Sequence, residues 1–348
     1  MTRQTAAVTI LTIAALGLAG CSSSSDSASG ADDGTGNGTG NGTEATETWR
    51  FGVLPCAADC GFLRMAQEKD FYEKYGVEVE FVELQSAAQI YPALAAGEVD
   101  AIEQSPGGLL IGAEQANMQA TIIGSSMEGL PYAIYASSDI TDLSELEGRS
   151  MAISSPTGMP ALVAELMVES AGVDWASLQQ VNAGGNADRY RAVVAGTADA
   201  ASSPADYVPM AEEEGVNVLA LASEVIPDFP RYMIIARNES LEEKPDAAVA
   251  FLAGHIEGLR YALDNPEETK QIGADALQTT PDDPNVTWLH DLVIEQELVD
   301  PDGGIDMAKL EYQLEVLVDT GQMEGNLDLS SVVDDSFHQR ALEMVEAS

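Results

Sequence analysis

The chain repeats itself at a spacing of 99 residues. Residues 87–100, AAQIYPALAAGEVD, run alongside residues 186–199, NADRYRAVVAGTAD, so that Tyr91 meets Tyr190, Ala93 meets Ala192, Gly97 meets Gly196 and Asp100 meets Asp199. Downstream, Ala101-Ile102-Glu103-Gln104-Ser105-Pro106 parallels Ala200-Ala201-Ser202-Ser203-Pro204. Upstream, Arg50-Phe51-Gly52-Val53-Leu54-Pro55 parallels Ser150-Met151-Ala152-Ile153-Ser154-Ser155-Pro156. Ala and Gly are common enough here for a chance echo. The argument against chance is order: strand, polar loop, helix, strand, helix, Gly-x-x-Asp-Ala and a Ser-Pro loop occur twice, which implies two related lobes. Strands alternating with helices imply α/β lobes, each a mostly parallel sheet flanked by helices. Ligands of such sheets bind outside the carboxyl ends of the strands.

Local patterns support that reading. Phe62, Met65, Ala66 and Tyr72 share a helical face that ends at Tyr75-Gly76, and residues 77–82 alternate as a strand. Leu162, Val163, Leu166 and Met167 mark a second amphipathic helix ending at Ala171-Gly172. The apolar runs 131–136 and 231–236, each after a polar Pro-containing loop, read as crossings between the lobes. After Lys244 the pattern is helical, with Pro245 and Pro266 at first turns, Asn265 as a cap, and a helix from about Met307 stopping at Gly321. The expected division is 49–135 with 233–348 for the first lobe and its C-terminal helices, and 136–232 for the second.

The N-terminus has a different character. Arg3 precedes an apolar stretch, 6–18, too short to serve comfortably as a permanent span, and Leu18-Ala19-Gly20-Cys21 follows. The run resembles the bacterial lipobox, which implies a signal peptide over 1–20, acylation of Cys21 and an extracytoplasmic chain held to the membrane by lipid. An ordinary signal with an incidental cysteine is the alternative. Residues 21–48 are almost entirely Ser, Gly, Thr, Asn, Asp and Glu, a composition with no apolar face to bury, and read as a disordered tether. Cys56 and Cys60 remain. In an oxidising compartment their spacing predicts a disulfide, with a metal or redox pair as the alternative. A metal reading lacks partners, because His255, His290 and His338 all lie far away in sequence.

Fifteen Lys and Arg stand against 58 Asp and Glu, a formal net charge of −43, with no basic stripe. Nucleic acid is therefore excluded as an expected partner. The acidity itself is a solubility property and says nothing about the charge of a ligand.

Several short motifs carry a family resemblance. Ala95-Ala96-Gly97-Glu98-Val99-Asp100-Ala101 is very like a turn of bacterial solute-binding proteins for nitrate, sulfonates, taurine and thiamine-pyrimidine precursors. Leu143-Ser144-Glu145-Leu146-Glu147-Gly148-Arg149-Ser150-Met151-Ala152 is similar to their entry into the second lobe. Gly172-Val173-Asp174 and Asp264-Asn265-Pro266-Glu267-Glu268 continue the series. The resemblance covers roughly 49–277. It implies a two-lobe type II periplasmic-binding-protein fold with two crossing strands as hinge. It also implies a monomer that captures a small ligand between its lobes and delivers it to an ABC permease with its ATPase, without cofactor or metal. The loop 154–159 and the loop bearing Cys56 and Cys60 depart from the family pattern.

Mapping loops onto that arrangement gives candidate contacts. The first lobe offers Asp59, Phe62, Gln104, Ser105, Glu128 and Tyr132, and the second offers Ser155, Thr157, Gly158, Asn186, Ser203, Asp206, Tyr207, Arg231 and Tyr232. Thr157 and Gly158 at a helix N-terminus would suit an anionic or oxygen-rich group, and Arg231 could clamp a carboxylate or sulfonate. Glu128 and Asp206 favour an amine, amidine or aminopyrimidine edge, and Phe62, Tyr132 and Tyr232 would suit a planar ligand. On balance a planar or heterocyclic ligand such as a pyrimidine-type precursor is expected, with a sulfonate, taurine or nitrate-type anion as the alternative. Each loop Ser, Thr or Asn has a plainer role as a cap or turn former. Asp100 and Asp199 are expected to satisfy backbone donors after their glycine turns and to lie outside the site. Enzymes share this fold, among them pyrimidine-precursor synthases. Here the chain offers no His- or Cys-rich cluster and no nucleophile beside a histidine, and no catalytic residues are expected. A purely adhesive lipoprotein would need no deep cleft.

Overall fold

The computed structural model describes residues 47–55, 57–156 and 158–348. Cys21, Cys56, Thr157, the expected signal peptide and all but the last two residues of the expected tether lie outside them. Ten strands form two five-stranded sheets. The first holds β1 (Glu47–Val53), β2 (Val77–Glu83), β3 (Ala101–Gln104), β4 (Ala120–Met127) and β10 (Tyr232–Arg237) in the order β2-β1-β3-β10-β4. The second holds β5 (Tyr132–Ser137), β6 (Ser150–Ile153), β7 (Gln179–Asn182), β8 (Ala200–Pro204) and β9 (Val216–Leu221) in the order β7-β6-β8-β5-β9. The order is the same in both once β6–β9 are set against β1–β4. The 99-residue echo is therefore a repeat of architecture.

In each sheet the strands contributed by the repeat run parallel and one inserted strand runs antiparallel. β10 pairs antiparallel with β3 and β4, and β5 pairs antiparallel with β8 and β9. The sheets are mixed in pairing while four of their five strands share a direction. The inserted strands also correct the expected boundary. Residues 132–137 belong to the second sheet, so the outward crossing lies before them, at 128–131, and not along 131–136. The return crossing ends as Tyr232 enters the first sheet.

Asp100 and Asp199 perform equivalent local work. Each follows a glycine in the left-handed region, Gly97 at φ +71° and Gly196 at φ +66°, where a side chain would be strained. Asp100 accepts the Arg50 backbone N–H at 2.9 Å, and Asp199 accepts that of Ser150 at 2.8 Å. Asp100 is 1% exposed and also receives Ser240 and Lys244. Burial alone would raise its pKa, but the hydrogen bonds from Arg50, Ser240 and Lys244 prevail and hold it at about 2.

Helices cover both sheets. The amphipathic helix expected around Phe62 breaks in two, Cys60–Glu68 and Phe71–Lys74, with Asp70 at φ 57° between them. Trp49, Phe51, Tyr72 and Phe251 pack as an aromatic core between the first sheet and the helix Pro245–Asp264. Pro245 and Pro266 open their helices as expected. Asn265 occupies a cap position, yet its side chain donates to the Tyr261 carbonyl of the preceding helix at 2.8 Å. Helix Met307–Asp319 ends before Gly321 at φ +71°. No described helix is long and apolar enough to cross a membrane.

Helix Cys60–Glu68 approaches its neighbours unusually closely. A Cβ on Gly61 would lie 2.3 Å from the Thr269 carbonyl oxygen, and one on Gly258 would lie 2.8 Å from the Ala66 nitrogen. Backbone cannot retreat as a flexible side chain can, so Gly61→Ala should cost about 1–3 kcal/mol. Thermal unfolding should show a melting point lowered by several degrees; an unchanged melting point would mean that the contact relaxes freely.

Candidate functional site

The carboxyl ends of β1, β3, β4 and β8 converge on one cavity. First-lobe residues Leu54, Pro55, Asp59, Phe62, Glu103, Ser126 and Met127 line it, with Leu289 from helix Pro284–Glu295. Asn186, Pro204 and Asp206 close it from the second lobe, and Pro131, Arg231 and Tyr232 come from the crossings. Its free volume is about 80 Å³. At roughly 10–15 Å³ per water position, that is room for about half a dozen waters or a small molecule.

Asp59 sits just ahead of helix Cys60–Glu68, so the glycine contacts that seat this helix also place the carboxylate. Its Oδ2 lies 2.6 Å from Nη1 of Arg231, with both side chains largely buried. The Arg231 guanidinium rests over the Tyr232 ring, 4.4 Å from its centroid. Burial works against the Arg231 charge, and the adjacent Asp59 carboxylate more than restores it.

Two further acids share the space. Glu103, 8% exposed, accepts a short hydrogen bond from the Ser126 hydroxyl. Burial pushes its pKa up to about 7, against the opposing pull of Ser126 and Arg231. Asp206, 6% exposed, has an Oδ1 without a hydrogen-bond partner. Burial, and after it the charge of Asp59, raise it to about 7. Asn186 stands opposite. Its assigned Oδ1 accepts from Arg189 at 2.9 Å and from Tyr132 at 3.4 Å, which leaves its amide N–H groups as the side for a ligand. Ser203 donates to the Asn186 carbonyl at 2.7 Å and fixes the same loop.

Six of the residues singled out by sequence therefore line one cavity: Asp59, Phe62, Asn186, Asp206, Arg231 and Tyr232. The others stand elsewhere. Glu128 pairs with Lys309 at 3.2 Å beside the outward crossing and is not a lining residue. Gln104 and Ser105 are buried, with the Ser105 N–H donated to Gln104 Oε1, and they present no group to the cavity. Tyr132 and Ser203 support Asn186 from behind. Tyr207 stacks on Tyr190 at 4.6 Å. Ser155 and Gly158 lie at the start of helix Met159–Ser170, away from the lining. The aromatic faces are partly taken, Phe62 by His290 at 5.8 Å and Tyr232 by Arg231. The sequence candidates here are Gln104 and Ser105 at the end of β3, whereas the acid that lines the cavity is Glu103, within the strand. A lone glutamate in a four-residue, fully buried strand is itself a signal. Among the described residues, no group of three or more His, Cys, Asp or Glu is arranged to hold a metal.

The family can now be placed. Residues 58–269 match a family model described as NMT1/THI5 like. The chain belongs to this NMT1/THI5-like family. A Brucella abortus relative named as a candidate binding protein is 26% identical over 218 residues, 62% of this chain and 66% of that one. The match thus spans just under two thirds of the relative's length. Among solved structures, a ligand-binding component of an ABC-type import system from Staphylococcus aureus superposes with a TM-score of 0.69 at 15% identity, covering 85% of this chain and 99% of that one. The periplasmic aliphatic sulphonate-binding protein SsuA from Escherichia coli gives 0.66 at 15% identity, covering 83% and 92%. At such identities the likeness shows that this NMT1/THI5-like chain has their two-lobe fold.

The raised acids give a stability prediction. Between the ordinary carboxylate range and pH 7 the folded protein holds protons on Glu103 and Asp206 that the unfolded chain has lost. Stability without ligand therefore falls as pH rises through that window. Asp206→Asn removes one such proton site without removing the side chain. It should stabilise the unliganded protein by on the order of 2 kcal/mol at pH 8 and by little at pH 4. Denaturant melts at both pH values test this; an equal effect at pH 4 and pH 8 would sink it.

Proposed function

We propose that this chain is the extracytoplasmic solute-binding component of an ABC importer, anchored by lipid at Cys21, that captures a small planar or heterocyclic molecule between its lobes and passes it to the permease. The observation that carries the reading is the cavity itself: buried, polar, and lined by side chains from both lobes and both crossings. A site divided in this way exchanges ligand only when the lobes part, which suits capture and release. Asp206 and Glu103 offer acceptors and Asn186 an N–H donor, while Phe62 and Tyr232 supply flat apolar walls. A pyrimidine-type precursor matches that combination. A sulfonate of the kind named for SsuA is the competing ligand, and Arg231 is the only cation among the described lining residues.

Catalysis is not part of this reading. Ser126 donates to the Glu103 carboxyl within the lining, and this reading takes that bond as one that orients Glu103 toward a ligand. Cys60 lines the cavity, and its proposed disulfide partner is Cys56.

Thermal-shift screening of the purified protein against aminopyrimidines, amines, sulfonates and nitrate should find a ligand. At a hundred times its dissociation constant that ligand should stabilise by about 2.7 kcal/mol. Small-angle scattering should show compaction on adding it, after an open unliganded state has been established. A panel without any stabilising member, or product formation from a bound member, would overturn the reading. Mass spectrometry of non-reduced, alkylated protein extracted from membranes should find a diacylglyceryl Cys21 at the N-terminus and no alkyl group on Cys56 or Cys60. A soluble, unlipidated chain or two alkylated thiols would count against these assignments.

A further inference from the structure

Among the described lining residues the cavity holds one cation, Arg231, and one of its terminal nitrogens is already engaged. Asp59 contacts Arg231 at 2.6 Å, and the guanidinium plane is covered by Tyr232. An anion reaching Arg231, whose Nε is buried without a partner, would have to share the guanidinium with Asp59 and lie beside that buried carboxylate, a costly arrangement. Arg189 is the other buried cation nearby. It directs its guanidinium to the carbonyls of Ser202 and Gly184 and to Asn186 Oδ1, and it does not line the cavity. With the Asp59–Arg231 pair cancelling, the charge left for a ligand is that of Glu103 in the first lobe and Asp206 in the second. Asp206 is nine-tenths buried and has an unpartnered oxygen.

We propose that the ligand carries a protonated nitrogen edge, an amidinium or ammonium, seated against Asp206 and Glu103, and that Asp59 keeps Arg231 from reading anions. This rests on the small-molecule binding function proposed above and narrows it to a charge class. The two acids belong to opposite lobes, so an open cleft separates them and closure brings both toward the same centre. Closing without ligand sets Asp206 against Asp59, a like-charge contact that a cation between them relieves. The ligand's positive charge then does what apolar contact in so small a cavity cannot: it makes the closed state the favoured one.

The groups that face these acids define how pH should act. Around Asp206 they are Asp59, Arg231, Tyr132, Tyr135 and Tyr207; around Glu103 they are Asp59, Arg231, Arg64, Tyr72 and Tyr232. Burial holds these tyrosines above their ordinary range, and it holds His290, which stacks on Phe62 at the cavity wall, below its own, so a change of affinity between pH 6 and pH 8 reports the carboxyls. A cation binds the ionised carboxylates and displaces their protons. Its affinity must rise with pH across that range, by about tenfold for each carboxyl that has to ionise. An anion would bind the protonated pair and show the opposite slope.

The test is isothermal titration of the full chain with acetamidinium and methylammonium chloride, and with sodium methanesulfonate and nitrate, at pH 6 and pH 8 and matched ionic strength. The proposal expects at least one of the two cations to bind, with about tenfold or greater tightening at pH 8 and release of protons detected from buffers of different ionisation enthalpy. Asp206→Asn should weaken that binding at least tenfold and flatten its pH dependence. Glu103→Gln provides the same reading should Asp206→Asn fail to fold. Methanesulfonate or nitrate binding more tightly at pH 6 would overturn the charge class and leave the solute-binding function intact. Binding of no cation, or cation binding indifferent to both substitutions, would also overturn it, and the broader ligand panel would then decide the function separately.

Discussion

Each lobe takes its antiparallel strand from the chain segment that enters from the other half, and the rest of the molecule depends on that exchange. β5 has left the first lobe before it pairs between β8 and β9, and β10 has left the second before it pairs between β3 and β4. Two crossings side by side are the consequence. Arg231 donates its backbone N–H to the Glu128 carbonyl at 3.3 Å, so the crossings are themselves hydrogen-bonded. A pair of short connections restrains sliding and twisting between the lobes more than it restrains bending. The carboxyl ends of the parallel strands face each other across the bend, where open α/β sheets place ligands.

The electrostatics of the cavity follow from what the crossings carry. Arg231 arrives at the entrance to β10 and meets Asp59, which the close-packed helix Cys60–Glu68 holds in place. A buried ion pair of this kind adds little to stability, because desolvation offsets most of the attraction. Its effect here is on selectivity. A guanidinium already bound to a carboxylate is a weak anion receptor, and the remaining acids then dominate a chain whose net charge is −43. The surface acidity and the cleft acidity remain separate matters. The surface charges are solvated and screened within about 8–10 Å at ordinary ionic strength, whereas Glu103 and Asp206 are buried and feel each other's surroundings directly.

Much of the fold was legible in the sequence because repetition leaves a register. The pairs Gly97 with Gly196 and Asp100 with Asp199 marked equivalent turns, and the structure gives both aspartates the same backbone N–H to satisfy. The crossings were read from apolar runs, which report burial and not which sheet a strand joins, and the boundary fell several residues late. The site was legible where a residue follows a strand end in a polar loop, as with Asp59, Asn186 and Asp206, or stands at a strand entrance, as with Arg231. It was not legible at Glu103, whose strand reads as core, or at Glu128, whose loop position is the same whether it faces a ligand or, as here, Lys309 on a C-terminal helix. Loop membership constrains the backbone; the partner that claims a side chain comes from elements more than a hundred residues away.

That distant claim ties the C-terminal helices to the site. Lys309, on helix Met307–Asp319, holds Glu128 at the outward crossing. Leu289, on helix Pro284–Glu295, lines the cavity, and its neighbour His290 stacks on Phe62. The same helix shares an apolar cluster with Ala205 and Val208 of the second lobe. A helix that follows the return to the first lobe thus rests on both lobes at once and seals one side of the cavity with aliphatic side chains. Opening the cleft separates that apolar contact from Ala205 and Val208 as well as parting Glu103 from Asp206. On the proposed closure the two terms have opposite sign in the unliganded protein: apolar burial favours it, and the like charge of Asp59 on Asp206 and on Glu103 resists it. Because the first varies little with pH and the second grows as the carboxyls ionise, the proposed cation would act by the charge it places beside Glu103 and Asp206.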